Sequence, residues 1–142
     1  METKIFKGMY SNVNDQIYTF DGKHIYEGRY SNRQSIKYTI DGDHLYKGEY
    51  INHNSIILTF DGKHIYNGQY KNWDKVAYTI DNSKVYNNYG RSENDVIMNT
   101  DGRFLYSGRL KYQNNIIMNV IGNINLFIMF ILNSKPIKNM PW

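Results

Sequence analysis

Three histidines recur at one position in consecutive stretches of the sequence, and their side chains are the best candidates for metal chemistry. His24, His44 and His64 lie 20 residues apart, and each follows an aspartate by three residues. Imidazole nitrogens suit Zn, Cu and Ni, so three of them facing one axis could hold a metal ion or an anion. The next two equivalent positions carry Lys84 and Phe104, which interrupt such a ring. The alternative is that the histidines simply begin strands beside turns, and on this interpretation we expect no metal and no cofactor.

Tyrosine is the residue type best suited to recognition, with 14 in the chain. The tyrosines form two columns of equivalent positions: Tyr26, Tyr46, Tyr66, Tyr86 and Tyr106 in one, and Tyr10, Tyr30, Tyr50 and Tyr70 in the other. Exposed rings stack on bases or sugars or contact a partner protein, whereas buried rings form a core with the hydroxyl at its rim. As candidate binding residues we take Tyr26, Tyr46 and Tyr66, together with Trp73 in a polar loop.

The sequence contains no constellation typical of an enzyme site. There is no cysteine nucleophile, and the Gly-x-Ser-x-Gly, Gly-Lys-Ser/Thr and His-Glu-x-x-His motifs are absent. The repeated aspartates, such as Asp21 and Asp41, lack the Gly-Gly-x-Gly-x-Asp spacing of calcium-binding β-rolls, and turn formation explains them. We therefore expect a protein that is not an enzyme.

A 20-residue internal repeat must position all of these side chains. Asp-Gly or Asp-Asn recurs without a slip at 21–22, 41–42, 61–62, 81–82 and 101–102. Six units are recognisable over residues 1–120, and the segment 121–142 diverges, all within one domain. The 142 residues would hold seven such units, or about 14 strands at two strands per unit.

Each unit is predicted to be a β-hairpin, because Asp-Gly between alternating segments is a strong turn signal. A two-residue loop would place Tyr38 opposite Leu45, and a three-residue loop would place Tyr38 opposite His44. The three-residue loop is favoured because it puts Tyr38, Ile40 and Tyr46 on one face. Leu45 then falls on the polar face, so both faces of the sheet are expected to bury something.

A sheet of so many strands is expected to close, since twist curls large sheets and closure removes their edges. The predicted fold class is all-β, with tandem 20-residue β-hairpin repeats closing into a propeller-like ring or barrel. A solenoid of 20-residue coils is the other option, and the Asp-Gly signal argues against it.

The apolar run from Leu126 to Leu132 is the one asymmetric part of the sequence. It is predicted to be a strand buried on both faces. Such a strand would close the ring against residues 1–10 or cover one end of the ring. If exposed, it would drive homo-oligomerisation or contact a membrane surface. The run is shorter than the roughly 20 residues that span a bilayer. The N-terminus lacks the apolar core of a signal peptide, so we expect a cytoplasmic protein.

The run YTIDGDHLYKG, from Tyr38 to Gly48, resembles the Tyr-x-Ile-Asp-Gly-x-x-Ile-Tyr-x-Gly repeat of the five-fold β-flower family. The resemblance covers residues 16–108 and implies hairpins arranged around a pseudo-symmetry axis, with no established activity, substrate or catalytic residues. This chain differs in showing six units instead of five. A second, weaker resemblance, from Gly22 to Asn32, is to MORN repeats, which implies an elongated sheet as the alternative architecture.

The charge of the chain does not single out a class of partner. The net charge is +4, and its Lys and Arg residues are spread along the sequence, which mainly serves solubility. We predict a non-enzymatic structural or binding module whose ligand is a protein or a carbohydrate, rather than nucleic acid or a membrane. The alternatives are a nucleic-acid-binding protein, whose affinity would fall steeply with salt, and a membrane-associated repeat scaffold.

Overall fold

The computed structural model describes residues 2–90 and 92–132, which form twelve strands and one α-helix. The elements are β1 (Thr3–Lys7), β2 (Gln16–Phe20), β3 (His24–Glu27), β4 (Ile36–Asp41), β5 (His44–Lys47), β6 (Ile56–Phe60), β7 (His64–Asn67), β8 (Val76–Asp81), β9 (Lys84–Asn87), β10 (Val96–Thr100), β11 (Phe104–Ser107), β12 (Ile116–Ile121) and α1 (Leu126–Ile131).

The strands form a closed antiparallel barrel in which each strand pairs with its neighbours in sequence. The seam pairs β1 with β12, with Ile5 opposite Val120 and Lys7 opposite Met118. This pairing completes a sixth hairpin from the two ends of the repeat region. The closed all-β fold is therefore confirmed. The expected 14 strands become twelve, because the chain after β12 turns into a helix instead of a seventh hairpin.

Both predicted hairpin registers are wrong. Ile40 pairs with Leu45, and Tyr38 pairs with Lys47, so four residues separate the innermost apolar pair. The observed register differs by an odd number of residues from the favoured one. Because the side-chain period of a strand is two, such a slip moves the whole second strand to the opposite face. Leu45 consequently lies in the core beside Tyr38, and Tyr46 lies on the outer face opposite Thr39.

The inner face of the barrel is mostly apolar and forms the core. The column that contains Leu45 provides its most deeply buried layer, in which every side chain is 0% exposed: Ile5, Ile25, Leu45, Ile65, Val85 and Leu105. The layer belongs to one continuous core that also contains the helix α1. Burial of apolar area on this scale is the main source of stability in a β-barrel.

The outer face is covered by six segments, which we call flaps. Each flap follows the second strand of a hairpin and ends in a 3₁₀ turn; their described residues are 8–15, 28–35, 48–55, 68–75, 88–90 with 92–95, and 108–115. The flap at 48–55 leaves the strand at Gly48, whose φ of +79° is strained for any residue with a side chain. The hydroxyl of Thr39, which is 0% exposed, donates to the carbonyl of Gly48 at 2.7 Å. The expectation that both faces bury residues is confirmed.

The apolar run from Leu126 to Leu132 is a helix, and the prediction of a strand is wrong. Asn125 caps the helix by accepting a hydrogen bond from the Ile128 amide at 2.9 Å. Phe127 stacks on Phe60 with ring centroids 4.5 Å apart, and Phe130 meets Tyr78 edge-on at 4.8 Å. A helix that is apolar on all sides must be buried. A barrel of twelve strands has room for it, because eight strands already enclose all the space that lining side chains can fill.

The predicted burial of this segment is confirmed for residues 127–132, which are at most 5% exposed. The rest of the divergent segment, residues 133–142, lies outside the described residues. Within the described part of the chain, no helix has the length and apolar character needed to cross a bilayer.

Candidate functional site

The three histidines are held individually and do not meet. His24 Nδ1 lies 2.9 Å from Thr39 Oγ1, and His44 and His64 contact Thr59 and Thr79 in the same way. Each threonine hydroxyl donates its single proton to a flap carbonyl, so the imidazole Nδ1 must be the donor to Oγ1. The histidines lie on β3, β5 and β7, and alternate strands are about 10 Å apart. Among residues 2–90 and 92–132, no cluster of three or more His, Cys, Asp or Glu could hold a metal ion.

This threonine partner was not identified from the sequence, although a signal for it exists. Where the histidine column changes to Lys84 and Phe104, the residue 15 positions later changes from threonine to Asn99 and Asn119, although the first unit combines Lys4 with Thr19. Asn99 Nδ2 donates to the Gly108 carbonyl at 2.7 Å. The histidine column therefore belongs to the attachment of the flaps.

The repeated aspartates perform two different turn functions in alternate hairpins. Asp61 Oδ1 accepts hydrogen bonds from the Lys63 and His64 amides at 2.9 and 2.7 Å, and its Oδ2 accepts one from the Tyr66 hydroxyl at 2.7 Å. Asp21 and Asp101 make the same three contacts. Asp41 instead extends the strand ladder opposite His44, and Asp81 does the same opposite Lys84. The structural repeat is therefore 40 residues long.

These carboxylate contacts shift the ionisation of both partners. Partial burial of Asp61 favours its neutral form, but hydrogen bonds from two amides and Tyr66 outweigh that effect and lower its pKa. Burial and the bond to Asp61 raise the pKa of Tyr66 to about 12. Asp21 and Tyr26 behave in the same way. Each pair is thus a carboxylate bound to a neutral phenol at neutral pH.

Three of the four predicted binding residues lie beneath the surface. Tyr26, Tyr46 and Tyr66 are only 5–7% exposed, so their rings are not available to stack on a ligand in this structure. They pack on the outer face of the sheet opposite the buried threonines, as in the pairing of Tyr46 with Thr39. Both tyrosine columns were candidates for recognition, and the binding residues predicted from them belong to the column that the flaps cover.

The exposed aromatic residues lie on the flaps, and we call this set the aromatic girdle. Its members are Tyr10, Tyr30, Tyr50, Tyr70, Trp73, Tyr89 and Tyr112. All of them except Tyr89 are 58–63% exposed. Burial during folding does not account for rings left this open, and Trp and Tyr are the residues that most often dominate protein interfaces.

The girdle is most concentrated around Trp73, the fourth predicted binding residue. Trp73 and Tyr89 come from neighbouring flaps, and their ring centroids are 4.3 Å apart at an interplanar angle of 32°. The Tyr89 hydroxyl donates to the Trp73 carbonyl, and His64 meets the Trp73 ring edge-on at 5.2 Å. Because other flaps carry nonaromatic residues such as Val13 or Glu93 in place of Trp73, this cluster breaks the repeat.

Comparison with known proteins identifies a family for almost the whole chain. A family model described as "6-fold beta flower protein" matches residues 2–131. No curated protein and no solved structure matches the chain. The match agrees with the six units counted in the sequence and the six hairpins around the barrel. The resemblance to a β-flower family is confirmed with a six-fold family in place of the five-fold one, while the resemblance to MORN repeats finds no support.

Proposed function

Because this chain belongs to the 6-fold beta flower family, we propose that it is a non-enzymatic repeat module that binds a partner through the aromatic girdle. The observation that carries the proposal is the exposure of six aromatic side chains, each between 58 and 63%. Exposed aromatic side chains that cluster, as Trp73 does with Tyr89, mark interaction sites.

The barrel holds the girdle in a fixed arrangement before any partner arrives. Each flap is tied to the strands beneath it, as by the bond from Thr39 to Gly48. Neighbouring flaps are also tied to each other, as by the ion pair of Arg33 with Glu49 at 2.7 Å. A preformed surface loses little conformational entropy on binding.

The repeated presentation of single rings suits a partner that is itself extended. Each ring offers a weak contact, and several contacts engaged together multiply the affinity without any one being strong. Tyr and Trp rings stack on the apolar faces of sugar rings and also fill pockets on proteins. A carbohydrate or protein partner therefore agrees with the chemistry of the girdle.

The test measures retention of the protein by immobilised cellulose, chitin and starch, and by an array of peptides, before and after replacement of Trp73 by Ala. We expect Trp73→Ala to weaken binding about thirtyfold or more, since a central aromatic contact is worth about 2 kcal/mol or more. Val13→Ala is the matched control, because Val13 occupies the same flap position and is 59% exposed. Equal retention of the wild type and Trp73→Ala, or no retention of the wild type at all, would contradict the proposal.

A second candidate function is the binding of single-stranded nucleic acid, which two contacts favour. The Arg29 guanidinium carbon lies 5.5 Å from the Tyr30 ring centroid, and Arg33 donates to the Tyr50 hydroxyl at 3.1 Å. Cations beside exposed rings are the usual combination for stacking bases while contacting phosphates. Binding of an oligothymidylate that falls steeply between low and high salt would favour this candidate over carbohydrate or protein.

A further inference from the structure

A second place where the repeat is broken lies inside one mouth of the barrel, which we call the lower mouth. It is formed by the ends of β1, β3, β5, β7, β9 and β11, close to Leu132 just after α1. The residues that line it face inward, because they pair across the ladder with core residues, as Lys7 does with Met118 and Glu27 with Tyr18.

Charge is concentrated on one half of the lower mouth. Lys7 is the last residue of its strand, and the equivalent position in the other five units is occupied by Glu27, Lys47, Asn67, Asn87 and Ser107. The position of Lys37, in the adjacent bulge, carries only apolar residues in the other units: Ile17, Ile57, Ala77, Ile97 and Ile117. One half of the mouth thus has three lysines and one glutamate, while the other half is neutral.

A pocket of about 480 Å³ opens in this charged half. Its apolar wall is formed by Ile17, Ile117, Met118 and Leu132, and the polar groups at its edge belong to Lys7, Tyr18 and Glu27. A hollow that combines an apolar wall with a few convergent polar groups is a usual form of a small-molecule site.

The polar groups at the edge of the pocket are not equally available to a ligand. Lys37 Nζ lies 3.7 Å from Glu27 Oε1 and 3.4 Å from the Tyr18 hydroxyl oxygen. It also lies over the rings of Tyr18 and Tyr38, at 5.6 and 5.5 Å from their centroids. Glu27 is therefore partly neutralised, and the Tyr18 hydroxyl keeps its proton free to donate. Lys7 has no ion pair or hydrogen bond through its ammonium group within the described part of the chain.

We propose that the lower mouth binds a small amphipathic carboxylate, whose carboxylate is held by Lys7 and the Tyr18 hydroxyl while its apolar body packs against Ile117, Met118 and Leu132. The unpaired ammonium and the free hydroxyl proton both favour an anion, and charged hydrogen bonds are about twice as strong as neutral ones. This site is separate from the aromatic girdle, because none of the exposed flap aromatic residues lines the pocket.

The test titrates the full-length protein with sodium octanoate and follows the amide resonances of Gly8 and Gly28 by NMR. Gly28 lines the pocket, and Gly8 directly follows Lys7. We expect saturable binding that Lys7→Met weakens at least about tenfold, since a lost charged hydrogen bond is worth about 1.5–3 kcal/mol. Lys7 is exposed, so its replacement should leave the fold intact.

Lys47→Met is the matched control, because Lys47 occupies the equivalent ring position but does not line the pocket. It should change octanoate affinity less than twofold, and octylamine should not compete with octanoate. Failure of octanoate to bind at millimolar concentration, tighter binding of octylamine, or equal losses in the two lysine variants would each overturn the proposal. Trp73→Ala should leave octanoate binding unchanged, which separates a failure here from a failure of the girdle.

Discussion

Asp61 and Asp41 show how one residue type at one repeat position acquires two roles. Both precede glycine in a turn, but the carboxylate of Asp61 binds two amides and a phenol, whereas Asp41 extends its strand. The difference lies in the turn geometry: φ of the glycine is +97° at Gly62 and +58° at Gly42. The environment of a side chain, more than its identity, therefore decides its contribution.

At the residue scale, we expect Asp61→Ala to lower the free energy of unfolding at pH 7 by about 2 kcal/mol, the usual value for hydrogen bonds to a charged group. Asp41→Ala should change it by less than about 0.5 kcal/mol, as for an exposed site. Urea denaturation of the three proteins measures both values. Equal losses in the two variants would contradict the two-role assignment.

The loss of stability caused by Asp61→Ala should also depend on pH. Folding lowers the pKa of Asp61, so its stabilising contribution is present above the ordinary aspartate value of 3.8 and is lost as the pH falls through the lowered value. The gap between wild type and Asp61→Ala should therefore be largest near neutrality and narrow at acid pH. A gap that is constant from pH 7 to pH 2 would assign the loss to something other than the carboxylate.

The helix α1 is the element that turns a wide ring of strands into a packed domain. Its side chains from Phe127 to Ile131 are all buried, and they contact both aromatic and aliphatic residues of the surrounding strands. At six residues it is shorter than any helix that is stable alone in water. The barrel therefore stabilises the helix, and the helix fills the barrel.

At the element scale, we expect Phe130→Ala to lower the free energy of unfolding by about 3–5 kcal/mol, the usual cost of removing a buried aromatic ring. Phe130 is 2% exposed and packs edge-on against Tyr78. Val13→Ala, at an exposed position, is the control and should change stability by less than about 0.5 kcal/mol. Thermal and urea unfolding measure both; an unchanged midpoint for Phe130→Ala would place α1 outside the barrel.

Closure is the property that belongs to the whole molecule. The Gly8 amide donates to the Ile117 carbonyl across the seam at 2.9 Å, and the equivalent Gly48 amide donates to Lys37 at 2.8 Å between strands near in sequence. The Gly8 bond joins residues far apart in the chain and the Gly48 bond joins residues close in sequence, yet their donor–acceptor distances are nearly equal. A barrel closed in this way has no exposed edge strand.

At the scale of the molecule, we expect the Gly8 amide to exchange its hydrogen for deuterium about as slowly as the Gly48 amide, because closure lets both open only with the global unfolding of the barrel. NMR-detected exchange at neutral pH measures the two rates in one sample. Exchange at Gly8 that is faster by orders of magnitude would show that the ring opens at its seam.

The sequence predicted the repeat, the hairpins and the closure, because Asp-Gly turns and strand periodicity are local signals. It did not predict the register, since an Asp-Gly pair fits loops of different length. The structure has one register in both kinds of turn, with Ile40 opposite Leu45 and Phe60 opposite Ile65. The helix was missed because a short run that is apolar at every position has no period to separate strand from helix. The burial of Tyr46 depends on the flaps, and the hydrogen bond from Thr39 to the Gly48 carbonyl that holds one of them is not visible in the strand periodicity.

One local signal was present and went unused. Phe20 and Phe60 precede two of the three aspartates that cap their turns and Thr100 precedes the third, while Ile40 and Ile80 precede the aspartates that do not. The position after the turn glycine alternates likewise, with Lys23, Lys63 and Arg103 in one class, and Asp43 and Ser83 in the other. A comparison of units two apart would have shown the 40-residue period.

Because turns of two kinds alternate around this barrel, the ring accommodates only an even number of hairpins without a mismatch. Adding a single 20-residue unit would bring two turns of the same kind side by side, whereas adding a pair would preserve the alternation around the circumference. The block that can be duplicated or lost without a mismatch is thus the 40-residue pair.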